Sequence, residues 1–459
     1  MSLFDTIQTA YTGLQAADAG ITATAHNVAN ATTEGYTRRE VTTSTVDPVA
    51  QNGLWVGQGV SVDQITRNVD SILGGRRLVQ SGVTAEAEAE YQALSFVEPL
   101  FEDFISEGVS DKLDQFFDSL QAATADPSDP TLRLQVAQAG DALAKDVNSS
   151  ADGLDAVLFD LESTVEALGP DINARLQEVA ALNDAIVAAG GPLAAGDLAD
   201  QQDVLLRGLA EDFGFTAEMD ANGQATVFLG GQAVVSGGIA REVVIETNAS
   251  GEFGVKVAVD SGLIDVTDQV GGAAGGYLSA IETTKGYIEE LDSMMVDFVD
   301  AINLQHAAGF DANGTIGTDL FTYDPADPAG TMSFSSAILD DPNLLAFAGD
   351  PSAAVGDDGN LLALIDFETS PVVDGTSSLA DALSTLKAQV GYDVAAAEAT
   401  ADAENAALAD LDELYSSLYG VDLDEEATNL IMYQSAYEAS AKVIQVTDAM
   451  LDTLIGLIR

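Results

Sequence analysis

The sequence predicts a mainly α-helical protein with a β insertion. Terminal helices would form a coiled coil, a helical bundle the body, and a small antiparallel β domain the insertion. Three observations support this fold class: a seven-residue apolar repeat at both ends, Ala-, Leu- and Glu-rich helical patterns between them, and one segment of alternating apolar and polar residues. Since 459 residues exceed one ordinary core, we predict three domains: 1–80 with 421–459 (coiled-coil inner domain), 81–213 with 273–420 (helical body) and 214–272 (β insertion).

The N-terminal segment has the spacing of a coiled-coil seam. One set of apolar residues recurs every seven positions, and a second, smaller set lies between its members at the complementary spacing. The small residues of the second set would let another helix approach closely. The first set is Ile7, Leu14, Ile21 and Val28, and the second is Leu3, Ala10, Ala17 and Thr24.

The C-terminal segment repeats this pattern. Its first set is Leu430, Tyr437, Ile444, Leu451 and Ile458, and its second is Tyr433, Ser440, Thr447 and Leu454. A single amphipathic helix is usually an ordinary core helix. Because both ends of this chain carry a sustained seam, we predict that the two helices pair and leave apolar surface for neighbouring subunits.

The stretch HNVANATTEGYTRREV, residues 26–41, follows the N-terminal seam and holds one of only two histidines. Asn30 can turn the chain because asparagine tolerates the left-handed conformation. Gly35 supplies a bend, and Tyr36 with the double arginine begins an extended segment. We interpret the stretch as a helix exit and subunit contact that includes Asn27, and the arginines would offer positive charge to acidic neighbours.

The middle of the chain reads as helices interrupted by one β segment. The pair Gly169-Pro170 predicts a kink or a break within a long helical pattern. Residues 214–272 alternate apolar and polar residues around Asn222-Gly223 and similar turns, which predicts hairpins. Helical patterns return at about 277–306 and after 380, whereas 307–380 is mixed and rich in loops.

The charge balance excludes two classes of partner. The chain has 16 basic and 75 acidic residues, a formal charge of −59. A field of this sign repels nucleic acid and anionic membranes, so we expect neither as a partner. It also keeps a surface soluble at high salt, which suggests a saline habitat. The two ends carry the least charge, as suits segments that pack against copies of themselves.

Other sequence features limit redox chemistry and the export route. The chain has no cysteine, which removes disulfides and thiolate chemistry. Its N-terminus, MSLFDTIQTAYTGLQ, lacks the basic and apolar regions of a Sec-type signal peptide. No stretch reaches the roughly 18 apolar residues of a membrane span. An exported protein of this kind would need another route.

No pattern in the sequence predicts catalysis. There is no activated nucleophile motif, and His26 and His306 have no serine or acid pattern beside them. The segment DANG, at 220–223 and 311–314, resembles part of a calcium loop, but its glycine comes fourth rather than sixth. A turn is the better interpretation. We therefore expect no enzyme activity, no cofactor and no metal site.

Both ends resemble a known family. GLQAADAGITATAHNVANATTEGYTRREV (13–41) resembles the N-terminal motif of bacterial flagellar axial proteins, the rod, hook and hook-associated proteins. EEATNLIMYQSAYEASAKVIQVTDAMLDTLIGLI (425–458) is similar to their C-terminal partner. Interior segments such as INARLQEVAALNDAI and GGAAGGYLSAIETTKGYIEELDSMMVDFVDAINLQHAAGFDANG resemble the hook-associated members that join hook to filament. The departures are a short, very acidic middle and a poor match at 320–375.

The resemblance implies a structural protein of the extracellular flagellum, secreted through the flagellar type III apparatus. It further implies self-assembly, contacts with the hook protein and with a second hook-associated junction protein, and an export chaperone on the C-terminal helix. The alternative within the family is a hook or distal-rod subunit, which the helical interior disfavours. An alternative outside it is a secreted acidic adhesin or enzyme with coiled-coil ends.

Overall fold

The computed structural model describes residues 3–51, 54–103, 108–192, 195–247 and 253–458. The predicted fold class is confirmed: the described chain is mainly helical and carries small antiparallel sheets. The helices are α1 (Leu3–Asn30), α2 (Ser71–Asp103), α3 (Val109–Ala123), α4 (Pro130–Ala188), α5 (Gly196–Phe213), α6 (Gly272–Ala308), α7 (Pro328–Thr331), α8 (Ser336–Asp340), α9 (Gly359–Ile365), α10 (Leu379–Tyr419) and α11 (Leu423–Ile458).

The strands form five antiparallel sheets among the described residues. The pairs are β1 with β4, β2 with β3 and β12 with β13, and the larger sheets have the orders β5-β6-β7-β8 and β11-β10-β9. The bounds are β1 (Arg39–Thr45), β2 (Val49–Gln51), β3 (Leu54–Val56), β4 (Val60–Arg67), β5 (Thr216–Met219), β6 (Ala225–Leu229), β7 (Gln232–Ser236), β8 (Ile239–Ala240), β9 (Val243–Thr247), β10 (Phe253–Val259), β11 (Gly262–Asp265), β12 (Phe321–Thr322) and β13 (Ser333–Phe334).

The chain divides into two compact units. The first unit comprises Met1–Ala85, Leu168–Gly272 and Ala403–Arg459, and the second comprises Glu86–Ala167 and Ala273–Asp402. The first unit therefore groups the inserted sheets β5–β11 with the terminal helices, and the predicted helical body is shared between both units. The division into three domains stays a prediction.

The first unit contains the paired chain ends. In α1, burial recurs on the face that carries Ala10, Ala17 and Thr24, which is the face that packs on α11. The ladder of β1 and β4 packs on α1 and has a bulge between Thr42 and Thr43. The sequence predicted only an extended segment here, so this two-stranded ladder is an addition of the structure.

Helix α4 runs without interruption through Pro170, so the helix does not break at Gly169-Pro170. Proline within a helix costs about 3 kcal/mol because it removes a hydrogen bond and crowds the preceding turn. Val165 and Ile172, on either side, are fully buried, and this burial offsets the cost. The side chain of Asn173 donates to the carbonyl oxygens of Gly169 at 3.1 Å and of Val243 at 2.7 Å.

The second unit has an aromatic core of its own. The rings of Phe116, Phe298, Phe321 and Phe334 form edge-on or tilted pairs with centroids 5.1 to 6.1 Å apart. His306 lies in the same unit and is fully buried. Its Nε2 accepts a 2.8 Å hydrogen bond from the backbone N–H of Ala346, and its Nδ1 lies 2.5 Å from the carbonyl oxygen of Thr318. The buried imidazole is therefore structural.

Candidate functional site: the terminal helix pair and its arginine cluster

Helices α1 and α11 pack antiparallel in the first unit. A Cβ added at Gly13 would lie 3.0 Å from Oγ of Ser440, and one added at Gly20 would overlap the ring of Tyr433. Positions seven apart on α1 thus face positions seven apart on α11, in opposite order. This register is the geometry of a coiled-coil seam with a close approach at small residues.

The small residues of α1, rather than its large ones, face the partner helix. The buried residues of α1 are Ala10, Ala17, Gly20, Ala23, Thr24 and Asn27. Of the predicted contact residues, Ile7, Leu14 and Ile21 are half-buried and Val28 is exposed. The large apolar side chains of α1 therefore flank the seam and remain partly accessible.

The large apolar residues of α11 are also partly accessible. Leu430, Ile444 and Leu451 are half-buried, Tyr437 is exposed, and Thr447 of the complementary set is buried. Ile458 ends the helix, and its side chain lies outside the described residues. A further row of exposed apolar residues runs along an adjoining face of α11: Met432, Val443, Val446, Met450 and Leu457.

The exit from α1 is fixed by one buried amide. Oδ1 of Asn27 accepts hydrogen bonds from the Tyr36 hydroxyl and the Arg39 backbone N–H, both at 2.8 Å. Nδ2 of Asn27 donates to the carbonyl oxygen of Arg39 at 3.0 Å. This amide joins the last turn of α1 to the first residue of β1. It is the structural reason that the chain reverses direction between residues 30 and 39.

The other predicted residues lie in the turn between these elements, but Asn30 does not adopt the left-handed conformation expected of it, since Asp374 alone of the described non-glycine residues has a positive φ. Asn30 accepts from the N–H of Thr33 at 2.9 Å through its carbonyl oxygen, and its side chain donates back to the carbonyl oxygen of His26. Gly35 has φ +72°, and a Cβ at this position would overlap the side chain of Val204 in α5. Burial raises the pKa of Tyr36 to about 12, although the nearby Arg39 guanidinium lowers it.

Two arginines share one buried carboxylate behind this turn. Nη2 of Arg39 donates to Oδ2 of Asp200 at 2.6 Å, and Nε of Arg67 lies 2.8 Å from Oδ1 of the same residue. Arg39 also pairs with Asp197, and Arg67 also pairs with Asp203. The cluster ties the start of β1 and the end of β4 to α5. Buried arginine–carboxylate groups of this kind favour one geometry over others more than they add stability.

Arg38, next in sequence, reaches the opposite end of the chain. Its Nε donates to Oε1 of Glu426 at 2.8 Å, and its Nη1 lies 3.0 Å from Oε2 of Glu425. Arg38 and Arg39, which we expected to contact acidic groups of neighbouring subunits, therefore form ion pairs within the chain. The sequence analysis did not predict a role for Arg67, Asp200 or Glu426. The signal that could have revealed the cluster is that arginine is rare in this acidic sequence, yet three arginines lie at the ends of β1 and β4.

The described ranges were also searched for metal-binding groups and membrane-spanning helices. Those residues include no group of three or more His, Cys, Asp or Glu placed to hold a metal ion. None of the helices found in them has the length and hydropathy needed to cross a membrane. His26 is exposed, with Nδ1 3.4 Å from the hydroxyl of Tyr36.

Comparison with known proteins agrees with this picture. The family model described as "Flagellar hook-associated protein FlgK helical domain" matches residues 94–321. The model described as "Flagellar basal body rod FlgEFG protein C-terminal" matches 415–457. Flagellar hook-associated protein 1 of Bacillus subtilis is 27% identical over 501 residues, covering 99% of this chain and 98% of that protein. These matches all support a protein of the flagellar hook-associated protein 1 family.

Two further members of this family align over nearly their whole length. The protein from Escherichia coli is 24% identical and that from Salmonella typhimurium 25% identical, each covering 98% of this chain and 99% of the relative. The solved structure titled as the flagellar hook junction protein FlgK from Burkholderia pseudomallei has a TM-score of 0.65 at 14% identity. It covers 75% of this chain and all of its own, which establishes a shared fold.

Proposed function

We propose that the chain is a structural subunit of the bacterial flagellum that forms the junction between hook and filament. One observation carries this function: the two ends of the chain form a single antiparallel helix pair that keeps rows of exposed apolar residues. An isolated subunit gains nothing from exposing Ile431, Met450 and Leu457, whereas a repeating lattice can bury such residues at every copy. Similarity to the hook-associated protein 1 family supports the junction as the place of assembly.

The function is one of assembly rather than catalysis. The relatives are named as flagellar hook-associated proteins, and the buried His306 has both ring nitrogens in contact with backbone groups. As partners we propose further copies of the chain, the hook protein and a second hook-associated junction protein. We also propose an export chaperone that holds α11 before secretion, because the exposed apolar row of this helix needs cover until assembly.

The site residues follow from this function. The half-buried and exposed members of the two seams, Ile7 to Val28 in α1 and Leu430 to Leu451 in α11, would contact neighbouring copies. Ile458, the next residue of the C-terminal repeat, would join them. A second group of residues would support these contacts indirectly, because it sets the direction in which β1 leaves the helix pair. This group is Asn27, Asn30, Gly35 and Tyr36. The main alternative is another axial subunit, a hook or distal-rod protein. The match of the hook-associated helical domain to 94–321 favours the junction.

A deletion strain tests the proposal. Cells that lack the gene should carry hooks without filaments and shed filament protein into the medium. A copy of the full chain should restore attached filaments. Hooks that still carry filaments in the deletion strain would exclude the junction function, whereas loss of the hooks themselves would favour the hook or rod alternative.

A further inference from the structure

The chain's single tryptophan lies on an exposed hairpin of the first unit. Strands β2 and β3 pair there and place Ala50 opposite Trp55. Trp55 is 76% exposed, and Val49, on the opposing strand, is 48% exposed. An indole carries a large apolar area and is among the side chains that most often anchor protein interfaces. Trp55 and Val49 are therefore apolar side chains left largely exposed by the described part of the isolated chain.

An apolar groove lies in the same unit. It forms where the first turn of α1 meets the last turns of α11, and its volume is about 590 Å³. None of the residues that line it is charged: they are Leu3, Val446, Ala449, Met450, Thr453 and Leu454. This volume is in the range of sites that hold one large side chain or a small molecule.

The hairpin and the groove belong to the same end of the helix pair. The backbone N–H of Val60, at the base of the hairpin, donates to Oγ1 of Thr12 at 3.3 Å. A Cβ added at Gly59 would lie 3.3 Å from Cα of Thr9. The base of the hairpin thus lies beside Thr9 and Thr12 of α1, and Leu3, at the start of this helix, lines the groove. The exposure of Trp55 excludes insertion into the groove of its own chain.

We propose that Trp55 of one copy docks into the α1–α11 groove of the next copy in the assembled layer. This inference rests on the proposed function, since it requires repeating copies. An exposed side chain and a groove formed by other residues of one unit can make a heterologous contact, which can repeat around a layer when both lie at the same level.

Charge points to a second copy as the occupant. Copies with a formal charge of −59 repel one another over most of their surface. Residues 46–60 carry one charged side chain, Asp47, and the groove carries none among its lining residues. Two copies can therefore approach through these surfaces at a small electrostatic cost. The contact adds a specific lateral interface to the helix seams.

Cysteine cross-linking tests the contact because the chain contains no cysteine. One full-length variant carries Ala50→Cys beside Trp55, and another carries Ala449→Cys in the groove. Both are produced together in the deletion strain, and isolated flagella are treated with a short bis-maleimide. The matched control pairs Ala50→Cys with Ala436→Cys, an exposed alanine of α11 about 20 Å further along the helix.

We expect a cross-linked dimer from the first pair and none from the control pair. Attached filaments with no dimer, or with equal dimer in both pairs, would overturn the docking contact and leave the proposed function standing. If isolated wild-type flagella do not contain the chain, both the docking contact and the proposed function are overturned. The wild-type flagella are analysed first, before any variant is made.

Substitution of the tryptophan gives an independent readout. Trp55→Glu should be secreted normally but reduce attached filaments on the order of tenfold, as expected for loss of an interface anchor. Trp55→Phe keeps an aromatic ring and should retain most attachment. Ile239→Glu, at a residue 71% exposed in β8 of the same unit, should attach like wild type. Attachment by Trp55→Glu equal to that of Ile239→Glu would overturn the contact.

Discussion

Arg38 and Glu426 are 388 positions apart in the sequence, yet Nε of Arg38 donates a 2.8 Å hydrogen bond to Oε1 of Glu426. Glu426 is almost fully buried, while Arg38 keeps a partly exposed guanidinium. Burial lowers the pKa of Arg38, but the Glu426 and Glu425 carboxylates raise it, and the net shift is upward. The bond closes the first unit, because it connects the exit of the first helix to the first turn of the last helix.

Removal of this arginine should loosen the helix pair. We expect Arg38→Ala to lower the free energy of unfolding of the first unit by about 2 kcal/mol, since the buried Glu426 carboxylate loses a charged hydrogen bond. Hydrogen exchange of peptides from α11 in urea measures this. Arg76→Ala is the matched control, since Arg76 is exposed and forms no ion pair among the described residues. Equal effects of the two substitutions would contradict the account.

Gly35 should be sensitive to substitution for two reasons. Its φ of +72° disfavours any side chain, and a Cβ would also overlap Val204. We expect Gly35→Val to be secreted normally and to impair filament attachment. Gly231→Val is the control, because Gly231 has φ +74° with open space around it. That variant carries only the backbone strain, about 1–2 kcal/mol, and should attach normally. Normal attachment by Gly35→Val would reject its role.

The stability of the second unit should depend on pH through His306. Burial lowers the pKa of this imidazole from 6.5 to about 4, because the buried site disfavours the charged form. Between these values the unfolded chain binds a proton that the folded chain does not. Stability is therefore full above about pH 6.5 and falls as the pH drops toward 4.

A variant without a titrating group at position 306 separates the contribution of the histidine from that of the many carboxylates. Between pH 7 and pH 5 the histidine should cost the folded state about 2 kcal/mol. The pH-dependent loss of stability should be smaller by this amount in His306→Gln than in wild type, as measured by hydrogen exchange of peptides from α6 in urea. The same pH dependence in both chains would show that the imidazole does not titrate as described.

Removal of residues 425–459 should separate folding from assembly. The second unit contains none of these residues, so its hydrogen-exchange protection should persist. The helix pair cannot form without α11, and assembly should be lost. Attached filaments are counted relative to the amount of chain in the medium, which corrects for any loss of secretion. A truncated chain that still joins hooks to filaments would refute the role of the seam.

Salt should stabilise the chain. With 75 acidic and 16 basic residues, repulsion between like charges opposes the compact state, and salt shortens its range from about 10 Å at 0.1 M to about 3 Å at 1 M. We expect the midpoint of thermal unfolding to rise with NaCl over this range. No rise would count against adaptation to a saline habitat.

The sequence predicted the paired ends and the β insertion because both depend on local periodicity. It also predicted that the small set would allow a close approach, but not that the larger set, Ile7 to Val28, stays partly accessible beside the seam. Both sets have the same seven-residue spacing, so the difference in their burial depends on the partner helix. Tyr433 packs on Gly20, so the small set must face inward.

Contacts between distant parts of the chain were the least predictable. Asp200 became the shared partner of Arg39 and Arg67 only because α5 packs beside β1 and β4, and no local pattern marks one aspartate among so many acidic residues. The helix continues through Pro170, where the sequence predicted a kink or a break, for a related reason. Burial on both sides of a proline is a tertiary effect that outweighs the local preference for a break.

The decisive measurement is a high-resolution electron cryomicroscopy map of the hook–filament junction from cells that produce this chain. We expect the chain to form the layer between hook and filament. We also expect α1 and α11 to line its inner wall as an antiparallel pair, with Gly13 facing Ser440. A junction without this chain, or one in which the two helices lie apart, would contradict this expectation.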